Sequence, residues 1–264
     1  MSGTVGAHLA LHVDSEADAI LSIAVAQGWA RTEELSVSVD GRSIPVDEIT
    51  DVHGGRLHRA TLPVGDVVVS YRAEVERPQD PAASTVADTL RYLRPSRFIP
   101  SDELAATALS WFGGSEPRDS VRAIPEWVST HLSYTPGSSG PTDTAIHTLL
   151  LRQGVCRDYA HLTAGLLRAV GVPARLTSVY APGLSPMDFH AVVEAFVDGR
   201  WEVVDSTRLA PRPEYVRIAT GRDAADTAFL TTLSGAVSLE DIEVTAVAGT
   251  DLSPDDPSAS VLLP

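Results

Sequence analysis

The chain has 264 residues, 44% hydrophobic and 21% charged, an ordinary balance for a globular protein with one large core or two smaller ones. Its 35 carboxylates against 20 basic residues set up an average field that repels phosphate, which argues against nucleic acid as a partner. No run approaches the roughly 18 apolar residues of a membrane span, and a single cysteine excludes an intramolecular disulfide or a multi-thiolate zinc site.

Every basic residue is Arg; there is no Lys. The start, Met1-Ser-Gly-Thr-Val, has neither the basic region nor the apolar core of a signal peptide, so the expected location is cytoplasmic. No metal site and no cofactor are expected.

From residue 5 to about 77, short alternating runs are broken by turn signals. Examples are Leu35-Ser-Val-Ser-Val before Asp40-Gly41, and Val67-Val-Val-Ser-Tyr-Arg-Ala-Glu-Val. Such alternation places strands half buried on one face, and residues 1–80 are expected to form a β-sandwich domain. His53 and His58 have no third ligand nearby and are read as surface residues.

Prolines then crowd the chain at Pro78, Pro81, Pro95 and Pro100, which suits a linker over 81–100 carrying at most a short helix. Ser101-Asp-Glu-Leu opens with a helix-cap signature, and Ser120 to His131 has helical spacing. Residues 101–248 are the expected second domain. Within it, the stretch 212–232 lacks clear periodicity and reads as a solvated loop, with a segment that wraps this domain and borders its cleft as the alternative. The tail 249–264, with Ser-Pro-Asp-Asp-Pro, is expected to be mobile.

The chemistry concentrates after residue 141. Tyr159, Leu162, Thr163, Leu166, Leu167 and Val170 recur at three and four, one apolar stripe of a helix, with Gly171 as its cap and Pro173 beyond. Cys156 then falls in or just before the first turn, where unpaired amides and the positive end of the dipole favour a thiolate. Those amides can also hold the oxyanion of a tetrahedral intermediate. Arg157 either adds positive charge there or points to solvent, and Asp158 suits a first turn for dipole reasons alone. His147 and His161 are expected to be structural, since His161 lies half a turn off the cysteine's face.

Asp198-Gly199 between two alternating apolar runs signals a two-residue hairpin whose paired positions sum to 397. Val192 then faces Asp205, and His190 lies on the same face two residues away. A carboxylate diagonal to an imidazole can fix its tautomer and stabilise its charged form. Cys156, His190 and Asp205 are therefore the expected nucleophile, base and orienting acid. A side-chain oxyanion donor is not placed; Gln153 is near in sequence only.

Gly-Val-Cys156-Arg-Asp-Tyr-Ala-His, His190-Ala and Trp201-Glu-Val-Val-Asp205 together resemble the transglutaminase-like superfamily, in particular the bacterial branch described as candidate cysteine proteases. The resemblance implies an α+β fold: a papain-like core, with the cysteine's helix packed on an antiparallel sheet, preceded by the amino-terminal β-sandwich. It implies Cys156 as acyl-accepting thiol, His190 as acid–base and Asp205 as its partner, acting on a peptide or protein substrate. Val192 departs from the family, which commonly has an aromatic residue two after the His. Hydrolysis of the thioester by water is the leading expectation. Transfer to an amine, acyl transfer from a thioester donor, and a non-catalytic scaffold of the same fold are the alternatives.

Overall fold

The computed structural model describes residues 2–79 and 84–264. The expected boundary near residue 80 and the start of the proline-rich linker lie outside the described residues. Six strands open the chain: β1 (Ser2–Leu21), β2 (Ala30–Val39), β3 (Arg42–Ser43), β4 (Asp47–Thr50), β5 (Arg56–Leu62) and β6 (Gly65–Glu76). Helices α1 (Val86–Arg91), α2 (Ala105–Phe112) and α3 (Pro117–His131) follow, then β7 (Ser133–Tyr134), α4 (Ala145–Leu151), β8 (Gln153–Gly154) and α5 (Cys156–Ala169). The chain continues through β9 (Ala174–Tyr180), β10 (Phe189–Val197), β11 (Arg200–Val204), β12 (Val216–Gly221), α6 (Ala224–Thr227) and β13 (Leu230–Ala248).

Alternation does its work in the first six strands. Val5, Ala7, Leu9, Leu11 and Val13 of β1, and Val67, Val69, Tyr71, Ala73 and Val75 of β6, all point into one buried face. The sheet runs β3-β2-β6-β1-β5-β4, and β13 pairs antiparallel with β1 along most of its length. The expected catalytic segment 101–248 is corrected here: its last strand belongs to the amino-terminal sheet. The nineteen-residue β13 finds its backbone partners along β1, from Gly3–Ala248 to Leu21–Leu230.

A second antiparallel sheet, β11-β10-β9-β12, lies between this layer and the helices. Val179, Val192, Val203, Val216 and Ile218 join the core shared with the first sheet. Leu176, Val193, Ala195, Val197 and Val204 join the core shared with α5, through Leu162, Leu166 and Leu167. Each of those leucines, fully buried, contributes about 1.5–3 kcal/mol. The fold is thus α+β, with a helix-on-antiparallel-sheet core as expected.

Three readings fail for related reasons. The stretch 212–232 is not a solvated loop: β12 is buried along its whole length and pairs with β9. A strand covered on both faces shows no alternation, which hides it from a periodicity search. The tail 249–264 is docked instead of mobile. Arg212 donates to both carboxylate oxygens of Asp255 (2.8 Å from Nη2 to Oδ1), the Val203 amide donates to the Val261 carbonyl (2.7 Å), and Leu263 is buried. Finally, His53 and His58 are not surface residues. His58 is buried beside Glu48, and the enclosed His53 side chain meets the Tyr92 hydroxyl at 2.7 Å.

No helix among the described residues is long and apolar enough to cross a membrane. Nor do three His, Cys, Asp or Glu residues cluster as metal ligands there.

Candidate active site

Cys156 is the first residue of α5, after an extended Val155. Asp158 closes this start by accepting the Val155 amide at 2.8 Å. Gly154 makes that possible, because a Cβ there would come within 2.6 Å of the Asp158 Cβ. Arg157 does not point freely to solvent; its side chain is 31% exposed. Its guanidinium donates to Ser139 Oγ (3.0 Å) and the Gly140 carbonyl (2.9 Å), pinning the loop before α4. Gly171, at φ +86°, ends the helix region as the sequence suggests.

The β10–β11 hairpin turns on Asp198 and Gly199, both at positive φ, and its pairs run from Val197–Arg200 to Val193–Val204. Each pair sums to the expected value, which carries Asp205, just past β11, to the imidazole. His190 Nε2 lies 2.8 Å from Asp205 Oδ2, with both side chains buried. An ionised carboxylate can only accept, so Nε2 carries the proton of this bond. That leaves Nδ1, buried and without another partner among the described residues, for the thiol.

Asp205 is held on every side. Tyr215 donates its hydroxyl to Oδ2 (2.6 Å), while the amide and hydroxyl of Thr207 donate to Oδ1 at 2.8 and 2.7 Å. The Tyr215 ring also stands edge-on to the imidazole, with centroids 5.7 Å apart. Burial works to neutralise Asp205, but His190, Tyr215 and Thr207 prevail and hold its carboxyl down at about 2. Burial likewise opposes charge on His190; the Asp205 carboxylate and the neighbouring Cys156 overcome it and push the imidazole up to about 10. Both shifts favour the charged forms of the His190–Asp205 pair, with Cys156 next to the imidazole.

Tyr134 is the residue that the sequence reading missed. The parallel pair β7–β8 sets Tyr134 opposite Gly154, two residues before the cysteine. Burial, then the interaction with Cys156, raise the Tyr134 pKa to about 12, so the hydroxyl keeps its proton and can donate. With the Cys156 amide it forms a pair of groups that an oxyanion can meet. Gln153, the nearer residue in sequence, lies on the short strand that brings Tyr134 in. His147 and His161 are structural, as expected: His147 Nδ1 accepts the Thr144 amide at 3.1 Å, and buried His161 accepts the Ala224 amide at 3.1 Å.

Known proteins resemble this chain in sequence and in fold. Residues 106–206 match the family model of the transglutaminase-like superfamily. An uncharacterized protein of Mycobacterium leprae is 29% identical over 165 residues; the match takes in 58% of this chain and spans 58% of that relative's length. The crystal structure of a candidate cysteine protease from Cytophaga hutchinsonii superposes with a TM-score of 0.86 at 32% identity, over 97% of this chain and 93% of that one. Likeness over nearly the whole of both chains, joined to a family match over the segment that carries Cys156, His190 and Asp205, places the chain in the transglutaminase-like superfamily.

Proposed function

We propose that the chain is a thiol hydrolase of peptide or amide bonds, with Cys156 as nucleophile, His190 as acid–base and Asp205 as the group that orients and charges the imidazole. The observation that carries this reading is the buried 2.8 Å His190–Asp205 bond beside a cysteine in the first turn of a helix. The name of the Cytophaga hutchinsonii relative, a candidate cysteine protease, agrees with it.

In the first step the Cys156 thiolate attacks the amide carbonyl and an S–C bond forms. The carbonyl oxygen takes the negative charge between the Cys156 amide and the Tyr134 hydroxyl. His190 passes its proton to the leaving nitrogen, the C–N bond breaks, and a thioester with free amine results. Water then attacks the thioester, His190 takes its proton, the C–S bond breaks and a carboxylic acid leaves. Asp205 stays ionised throughout and keeps the imidazole in the orientation that presents Nδ1 to sulfur.

A peptide library incubated with wild type and with Cys156→Ala, with and without hydroxylamine, tests this. New carboxyl termini in wild type alone, diverted to hydroxamates by hydroxylamine, are the expected result. Amine incorporation without hydrolysis would replace the hydrolase with an acyltransferase. Equal, unchanged libraries with both proteins would leave a non-catalytic module of the same fold.

A further inference from the structure

Tyr215 touches both members of the buried pair, and the chemistry above gives it no step. It lies between a short helical turn (Arg212–Glu214) and β12, fully buried. Its hydroxyl reaches Asp205 Oδ2 at 2.6 Å and the Ala210 carbonyl at 2.8 Å, and its ring stands edge-on to His190. Both oxygens only accept, so one phenolic proton serves two acceptors. Asp205, charged and nearer, takes the larger share. Oδ2 is also the oxygen that accepts Nε2–H of His190 at 2.8 Å. Two donors thus draw on the charge of one oxygen, and what Tyr215 draws is withheld from the imidazolium.

The two half-reactions ask opposite things of that imidazole. Forming the thioester needs an imidazolium, which pairs with the thiolate and gives its proton to the leaving nitrogen. Hydrolysing the thioester needs a neutral imidazole, whose Nδ1 takes a proton from water. Once Cys156 is acylated its charge is gone, and of the two residues that raise the imidazole's affinity for protons only Asp205 is left. A carboxylate that pulled too hard would keep the imidazole of the acyl-enzyme protonated and unable to act as base.

We propose that Tyr215 is a positioning residue that tempers Asp205, weakening its hold on the His190 proton so that the acyl-enzyme hydrolyses near neutral pH. The proposal rests on Cys156 and His190 forming and hydrolysing a thioester, and the test separates the two. The other titratable groups around the pair are Cys156 on α5, Tyr134 on β7, Asp188 before β10, and Arg212 with Asp255, which pair with each other at 2.8 Å. Tyr215→Phe leaves all of them, and the ring against His190, in place. trans-Cinnamoylimidazole acylates a thiol, and its thioester is followed by near-ultraviolet absorbance. The chain has one cysteine and no lysine, so the thioester forms at one place and side-chain amines do not compete. Its formation and decay are followed from about pH 5 to 9 in wild type, Tyr215→Phe and His190→Ala.

In wild type the decay rate should rise with pH and level off once His190 is neutral. Tyr215→Phe should move the midpoint up by about one unit, slowing decay about tenfold on the acid side, with the two curves converging on the alkaline side. Thioester formation should stay within about twofold of wild type, because the variant keeps its thiolate–imidazolium pair. Tyr215→3-fluorotyrosine, a stronger donor of nearly the same shape, should move the midpoint down. A midpoint in Tyr215→Phe within about 0.2 unit of wild type or below it, or formation and decay that fall by a common factor, overturns the proposal. If Tyr215→Phe does not fold, the fluorinated protein carries the test, and a midpoint that fails to move down overturns the proposal. A wild-type thioester that decays no faster than that of His190→Ala would instead defeat the hydrolase reading, and this proposal with it.

Discussion

In the seven-stranded sheet, Arg59 with Asp18, Arg31 with Glu76 and His12 with Asp66 all keep at least one half-exposed partner, and the buried Arg56 and His58 both reach half-exposed Glu48. In the four-stranded sheet, charge is inside. Glu194 is completely buried and takes Arg217 on both oxygens at 2.8 Å, with Arg175 (2.9 Å) and Thr177 (2.7 Å) also on Oε2. His190 and Asp205 are buried on neighbouring positions of the same hairpin. Both sheets are antiparallel, so strand direction does not explain the difference. Solvent exposure does: the first sheet has an open face where charge is cheap to place, whereas the second is covered on both sides and keeps its buried charges beside opposite ones.

Breaking that buried charge should have the largest effects. Asp205→Asn keeps the shape but removes the charge that holds the imidazolium; thioester formation should slow about a thousandfold or more, read by single-turnover release of the amine product. Unchanged single-turnover kinetics would mean that the carboxylate serves only the turn after β11. Glu194→Ala strands Arg175 and Arg217 in the core and should destabilise the fold by about 3–5 kcal/mol in urea titrations. A loss of under about 1 kcal/mol would show that water or backbone carbonyls satisfy the two guanidiniums without it.

The pH dependence of stability sharpens the comparison further. The His190 pKa is raised from 6.5 to about 10, so its contribution is complete below 6.5 and fades as pH climbs through about 10. That of Asp205 is lowered from 3.8 to about 2, so its contribution is present above 3.8 and fades as pH falls through about 2. Melting temperature should therefore fall on the alkaline side, and His190→Ala should remove that part of the slope. The smallest effect belongs to the open sheet: Arg59→Ala, which loses only the exposed pair with Asp18, should leave the melting temperature unchanged.

What could be read from sequence follows from how local each signal is. The helix of Cys156 and the Asp198–Gly199 hairpin carry their periodicity and turn residues within a short window, and both formed with the expected register. Tyr134 could not be found in that way, because β7 and β8 are two residues each and meet in parallel across a helix and a loop. Burial of β12 on both faces erased its alternation. Docking of the tail depends on Arg212, Arg217 and main-chain carbonyls, partners that no spacing rule connects. His53 and His58 looked exposed because the groups that enclose them, Tyr92 and Glu48, come from other elements.

The most direct test of the Cys156–His190 pair is the rate of iodoacetamide alkylation at about pH 6, well below the ordinary thiol value of about 8.5, in wild type and His190→Ala. The account predicts rapid alkylation of wild type and a loss of tenfold or more, about 1.4 kcal/mol, in the variant. Equal rates in the two proteins would contradict it, since the imidazole would then have no part in the reactivity of the thiol.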